Sequence, residues 1–202
     1  MKKWFLLFIC CCLLLIGCSN EKKVSTNGHT KISIEPYSLS DKEESLMMYA
    51  GVSQIEFFQF DGELGQKEDL EFKIEHYKKG KFKGELTSLS NMVESKYKNT
   101  LFSFAIDNNI DYKRTSLKLI MGTPSGIATT NFSNNMKGYS FESLVNERIT
   151  LKKNKPIYLA AWYGTSENHL SSPSSKNGEL PQGIQDVEET ILYSVVWKAK
   201  DK

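Results

Sequence analysis

The sequence predicts an all-β domain, an antiparallel β-sandwich of immunoglobulin-like general architecture with about eight strands and at most one short N-terminal helix. Three observations carry this prediction. Beyond Gly51 the apolar residues recur with period two, in short runs rich in Ile, Phe, Leu and Tyr. Gly, Asn and Asp turn signals bound those runs. No long helical pattern intervenes between them, so the strand and helix alternation of a parallel sheet is missing. A closed barrel is the alternative way to bury such strands.

The chain opens with Met1-Lys2-Lys3, continues through an unbroken apolar run over residues 4–16, and reaches Gly17-Cys18-Ser19-Asn20. Positive charge, apolar stretch and small residue come in the order of a signal peptide. As a helix the run would span about 20 Å, short of the roughly 30 Å hydrocarbon core that a permanent span must cross. Lys2 and Lys3 favour the cytoplasmic side, which directs everything after Gly17 outward. Residues 1–17 are therefore expected to be removed. Residues 18–38, rich in Ser, Thr, Asn, Gly and Lys, are expected to form a flexible tether, with Ile32 and Ile34 the only hint of a strand in it. Residues 39–202 then form a single domain.

Within that domain Ser40-Asp41-Lys42-Glu43 has capping-box spacing, and Leu46, Met47 and Ala50 support a short helix up to Gly51. Ile55 to Phe60 form a strand ended by Asp61-Gly62. Leu70, Phe72, Ile74 and His76 alternate with charged neighbours, and Lys78-Lys79-Gly80-Lys81 turns the chain into Phe82, Gly84 and Leu86. A second hairpin runs from residues 101–106 through Asp107-Asn108-Asn109 into residues 110–121. Gly122-Thr123-Pro124-Ser125-Gly126 is a turn, and residues 127–132 an edge strand. Ile149 and Leu151 are expected to face Ile157, Leu159 and Ala161 across a Lys-Asn-Lys turn, and residues 191–197 close the chain as a strand. Two polar stretches, 133–138 and 164–185, interrupt the pattern; the second reads as too polar to pack, and a loop of that length is functional or disordered.

Charge and cysteines exclude several classes. The chain holds 26 Lys and Arg against 24 Asp and Glu, and without Lys2 and Lys3 the two balance. A nucleic-acid partner is not expected from so neutral a surface. All four cysteines, Cys10, Cys11, Cys12 and Cys18, stand at the N-terminus. No disulfide can staple the domain, and adjacent thiols in an apolar run lack zinc-site spacing.

Few residues point to chemistry. Asp107, Asn109 and Asp111 occupy positions one, three and five of a calcium-loop pattern, but Tyr112 replaces the required Gly and Lys118 the closing Glu. His29, His76 and His169 are scattered without a zinc motif, and Ser125 with His169 and Asp186 is a trio that chance supplies. Neither a metal, a cofactor nor a catalytic residue is expected. Lys78, Lys79, Lys81 and Lys83 make a basic hairpin tip, either a contact for an anionic surface or a solvated edge guarded by lysine. Tyr158, Trp162 and Tyr163, placed before the polar loop with His169, are the candidate ligand-binding residues. Trp162, read on the face opposite Leu159 and Ala161, is either an aromatic platform or the core of the sandwich.

Leu15-Ile16-Gly17-Cys18 resembles the lipobox of bacterial lipoproteins. The resemblance implies cleavage after Gly17, a diacylglyceryl group on the Cys18 thiol, and residence on the extracytoplasmic face of the cell membrane; two acyl chains suffice for stable anchoring. Tyr49-Ala50-Gly51-Val52 and the Lys-Gly-Lys hairpin are similar to features of small surface lipoproteins of Gram-positive bacteria. The expected function is that of a non-enzymatic binding module for an extracytoplasmic protein, peptide or polymer. The alternatives are a hydrolytic enzyme of the envelope and a structural or protective, immunity-type lipoprotein.

Overall fold

In the computed structural model, residues 31–52, 54–90, 94–111, 114–133 and 135–200 are described. The leader, Gly17, Cys18 and His29 lie outside them. Eleven strands among the described residues form two antiparallel sheets. β1 (Lys31–Pro36), β2 (Ile55–Glu63), β5 (Lys96–Asp111), β6 (Arg114–Thr123), β7 (Gly126–Ser133) and β9 (Ile149–Thr150) build a six-stranded sheet in the order β7-β6-β5-β2-β1-β9. β3 (Glu68–Lys78), β4 (Lys81–Ser90), β8 (Gly138–Ser143), β10 (Pro156–Thr165) and β11 (Glu189–Ala199) build a five-stranded sheet in the order β4-β3-β11-β10-β8. The predicted sandwich is the observed architecture.

The period-two pattern sends Phe58 and Phe60 from one sheet, and Leu70, Phe72, Ile74, Tyr193 and Val195 from the other, into a single core. Phe72 stacks on Phe102 with ring centroids 4.8 Å apart, and Phe104 on Tyr193 at 4.8 Å. Such contacts across the sandwich add to the area that the rings remove from water. Glu56 stands on the same β2 face as Phe58 and pairs with Phe104. Burial raises its carboxyl above the usual carboxylate range.

A raised carboxyl favours the protonated folded form. The cost to the fold is therefore present at pH values above the raised value, and it fades as pH falls toward the unfolded value of about 4.3. Glu56→Gln is expected to raise the melting temperature at neutral pH, and that gain should shrink to nothing near pH ~4. Thermal melts of both proteins across that range check it.

Four expectations are corrected. The tether reaches too far, because Lys31–Pro36 is a strand flanked by β2 and β9 with Ile32 and Ile34 fully buried. Asp61-Gly62 does not end β2; the strand passes through a register shift between Phe60 and Gly62, where a Cβ on Gly62 would lie 1.9 Å from the Lys31 carbonyl oxygen. Asp107-Asn108-Asn109 is no turn, since these residues pair with Lys118, Leu117 and Ser116 in the β5–β6 ladder. Finally, Ile149 belongs to the six-stranded sheet through β1, whereas β10 belongs to the other, so the two do not form a hairpin. The strand β8 falls in a segment given no strand by its pattern.

The helix α1 (Asp41–Tyr49) has the predicted capping box: the Glu43 amide donates to Ser40 Oγ at 3.4 Å and the Ser40 amide to Glu43 Oε2 at 2.8 Å. Gly51, at φ 75°, ends it, with its amide on the Met48 carbonyl. No residue of α1 is buried.

Candidate functional site

The hairpin between β3 and β4 closes through Lys79 at φ 48° and Gly80 at φ 70°, the two positive values of a type I′ turn. A Cβ on Gly80 would come within 2.9 Å of Gln185 Cα, so glycine lets the tip seat on the 3₁₀ turn Ile184–Asp186. The Lys79 amide donates to the Glu188 carbonyl at 3.1 Å. Lys78 is committed elsewhere. Its Nζ lies 2.6 Å from Glu189 Oε1, and His76 Nε2 lies 2.6 Å from Glu189 Oε2. The hydrogen bond to Glu189 raises the Lys78 ammonium above its ordinary value. Lys79, Lys81 and Lys83 stay exposed.

The stretch 164–185 packs, contrary to the reading of it as too polar. Ser174 and Gln182 form a bridge with amide-to-carbonyl bonds of 3.0 and 2.8 Å. The Gly178 amide donates to the Leu144 carbonyl at 2.7 Å, and the Tyr158 amide to the Gly178 carbonyl at 2.9 Å. Asn177 Oδ1 accepts from the amides of Asn146 and Glu147. Thus pinned, the loop lays Ile184 and Val187 over Tyr158, Ala161, Tyr163 and Leu192, a second apolar cluster on the outer side of the five-stranded sheet. Both faces of β10 are covered as a result, which is why nine of its ten residues are buried.

This covering overturns the aromatic platform. Trp162 is fully buried in the core between the sheets, edge-on to Phe132 at 6.5 Å and stacked with Tyr139 at 6.3 Å. Tyr163 is fully buried under the loop, where burial and the nearby Glu142 push its hydroxyl far above the usual range. Tyr158 is buried in the same cluster as Tyr77. A register shift between Tyr158 and Ala160 inserts Leu159 into β10 and puts Leu159, Ala160 and Trp162 in the same core, so Trp162 is not opposite Leu159.

What remains open is a cleft of about 320 Å³ between the hairpin tip and the loop. Lys79 and His169, from two separate sequence predictions, both line it, along with Ser166, Leu170, Asp186 and Glu188. Its wall is preorganised by one carboxylate: Glu188 Oε2 accepts from the Ser166 amide at 2.9 Å and from Ser166 Oγ at 2.5 Å. Those bonds, the hydroxyl first, hold the Glu188 carboxyl below its ordinary value. The Glu167 amide donates to Thr165 Oγ1 at 3.1 Å, and His169 Nε2 lies 3.5 Å from Glu167 Oε2 with both side chains largely exposed. The sequence pattern did not single out Ser166 or Glu188. The Glu188-Glu189 pair before the last strand was the available signal.

The cleft offers cations, carboxylates and hydroxyls to a polar ligand. Ser166 donates to a carboxylate rather than to an imidazole base, and Ser125 sits on the β6–β7 turn, bonded to Thr123, while His169 and Asp186 line the cleft beside the other sheet. Among the described residues no three His, Cys, Asp or Glu side chains gather as metal ligands, and no helix is long and apolar enough to cross a membrane. The calcium-loop pattern at Asp107 to Asp111 lies in extended ladder backbone, not in a loop.

The fold and its cleft define a class: an antiparallel β-sandwich that covers one outer face with its own loop and opens a polar cleft at that loop's edge. The chain belongs to the YgaN domain family, whose sequence profile matches residues 33–196. The match starts inside β1, in accord with the placement of that strand in the domain. No curated protein and no solved structure matches the chain.

Proposed function

We propose that the chain is a lipoprotein anchored through Cys18 on the outer face of the cytoplasmic membrane, and that its domain is a non-enzymatic binding module. The observation that carries the anchor is the N-terminal order of Lys2-Lys3, a short apolar run and Leu15-Ile16-Gly17-Cys18. The thiol at position 18 is the group to which two acyl chains are joined, each buried methylene contributing about 0.8 kcal/mol of membrane affinity. Binding is assigned to the cleft lined by Lys79, His169 and Asp186, whose mixed charges and hydroxyls suit a peptide or other polar envelope ligand.

Cys18→Ala is expected to abolish lipid labelling and to shift the protein from the detergent phase to the aqueous phase on phase partition, with the domain still folded. Unchanged partition overturns the anchor. For the cleft, a photoreactive side chain at position 169 in intact cells is expected to give a defined adduct that Lys79→Glu removes. An adduct pattern indifferent to position 79 sinks the binding assignment.

A further inference from the structure

Strand direction gives the sandwich two ends. β1 starts at Lys31, whose register partner Glu63 finishes β2 beside Lys96, the first residue of β5. In the other sheet Glu68, the first residue of β3, pairs with Ala199, the last of β11, and the Lys200 amide donates to the Lys67 carbonyl at 2.9 Å. The turn at 152–155 closes the same end, with the Leu151 amide on the Ile32 carbonyl at 2.8 Å and the Asn154 amide on the Trp197 carbonyl at 2.8 Å. The cleft lies at the other end, where β3 finishes and β11 begins. The 11 residues of β3 put about 35 Å between the two ends.

The surface of the first end is rich in lysine. Lys31, Lys96 and Lys98 come from the six-stranded sheet, Lys152, Lys153 and Lys155 from the turn, and Lys67 and Lys200 from the segments that flank β3 and β11; all are exposed. The exposed acid among them is Glu63, 3.4 Å from Lys96. The other carboxylates of this end are withdrawn or paired. Asp69 is buried, Glu68 is 11% exposed and paired with Lys153, Glu71 lies 3.2 Å from Lys198, and Glu94 is half-buried. With Lys198, nine lysines stand against five carboxylates. Farther up the side faces, Arg148 is paired with Asp61 at 3.1 Å and Glu35 at 4.0 Å, Lys73 with Glu85 at 2.9 Å, and Glu147 accepts from Asn177. Counted in full, these charges lower the excess from four to two and leave its sign unchanged.

The point at which the chain enters the domain selects what this end meets. Residues 19–30 separate Cys18 from Lys31, and they add Lys22 and Lys23 against Glu21. A chain of that length reaches about 40 Å when fully extended and about 20 Å as a coil. Lipid joined to Cys18 is thus tethered next to the lysine end, and the cleft is the part of the domain farthest from it.

We infer that the lysine end of the sandwich is a contact surface for anionic lipid headgroups, which stands the domain upright on the membrane with its cleft facing outward. The inference rests on the Cys18 anchor proposed above. Attraction of lysine to anionic lipid acts over about a Debye length, ~8 Å at physiological salt, and a short connection to the bilayer keeps the local concentration of that surface high. The hairpin tip with Lys79, Lys81 and Lys83, which the sequence offered for an anionic surface, stands at the opposite end and does not share in this contact.

The test uses the acylated chain in vesicles of phosphatidylcholine with or without roughly one third phosphatidylglycerol, the anionic component, and a headgroup-labelled lipid as energy-transfer acceptor. The donor dye sits on Ser95→Cys at the lysine end or on Asn168→Cys at the cleft end, both exposed positions. In anionic vesicles, transfer from position 95 is expected to exceed that from position 168 several-fold. The difference should shrink in neutral vesicles and in ~1 M salt, where the Debye length is about 3 Å. Lys98→Glu with Lys155→Glu should remove the gain that anionic lipid gives, whereas the same change of charge at the far tip, Lys81→Glu with Lys83→Glu, should leave it. Melting temperatures of both variants are expected to match the parent chain, because all four side chains are exposed. Flotation with the vesicles reads the anchor by itself. A chain that floats but gives equal transfer from both positions, or transfer from position 95 that is indifferent to lipid charge or to Lys98 and Lys155, overturns the contact surface and leaves the anchor standing. A chain that does not float overturns both.

Discussion

Trp162→Ala is expected to lower the stability of the domain by about 3–5 kcal/mol, the range for emptying a large aromatic site in a packed core. The residue is fully buried where β10 faces the six-stranded sheet, in one core cluster with Ile191 and Tyr193, and its ring packs against Phe132 of β7 and Tyr139 of β8. Gly164 lies against it so closely that a Cβ there would come within 2.3 Å of the indole. Neighbours held by strand ladders cannot collapse into the space the indole leaves, so the cavity adds to the lost transfer energy. The indole Nε1 is buried with no protein partner, which predicts a milder loss, below about 2 kcal/mol, for Trp162→Phe, since no hydrogen bond goes with it. Urea unfolding of the three proteins measures both. A solvent-exposed platform would behave otherwise: Trp162→Ala would leave stability within about 0.5 kcal/mol and affect ligand binding alone.

The indole also shows where sequence reasoning stopped. Alternation identified the strands because one face of each is buried: Leu70, Phe72 and Ile74 point inward while Glu71, Lys73 and Glu75 point outward, and no other register would bury the first set. The capping box and its glycine stop were legible for the same reason, being local. Long-range pairing was not. β9 is two residues long, and only contact with β1 makes it a strand rather than the first half of a hairpin with β10. Nor could the bulge at Leu159 be read: one extra residue reverses every assignment of faces beyond it, and Trp162 changes sides. The candidate site was legible in two residues, Lys79 and His169, each found through a different feature. What joined them was the docking of the loop on the hairpin tip, a tertiary contact made through glycine backbone, and glycine in a polar run reads as flexibility.

That docking is the ground for the second large effect. Gly178→Val is expected to cost roughly 3 kcal/mol and to open the cleft, from two sources acting at one residue. Gly178 sits at φ 79°, a conformation that a β-branched side chain enters only with strain. A Cβ there would also lie 2.8 Å from both Ile149 Cδ1 and Ile157 Cγ2, one from each sheet; Ile157 is buried in the core and Ile149 is packed against it, so both would have to shift. The relief available is to lift residue 178 away, and its amide bond to the Leu144 carbonyl and its carbonyl bond from the Tyr158 amide would go with it. Ile184 and Val187 would then be drawn from Tyr163 and Leu192, and the wall that carries Asp186 and Glu188 would lose its position against Lys79. Hydrogen exchange should separate this from a general loss of stability. Amides of the loop, such as Ser174 and Gln182, are expected to exchange faster by a larger factor than those of β3 and β11, whereas uniform acceleration would mean that the loop and the sandwich unfold as one unit and that Gly178 is not the clasp between them.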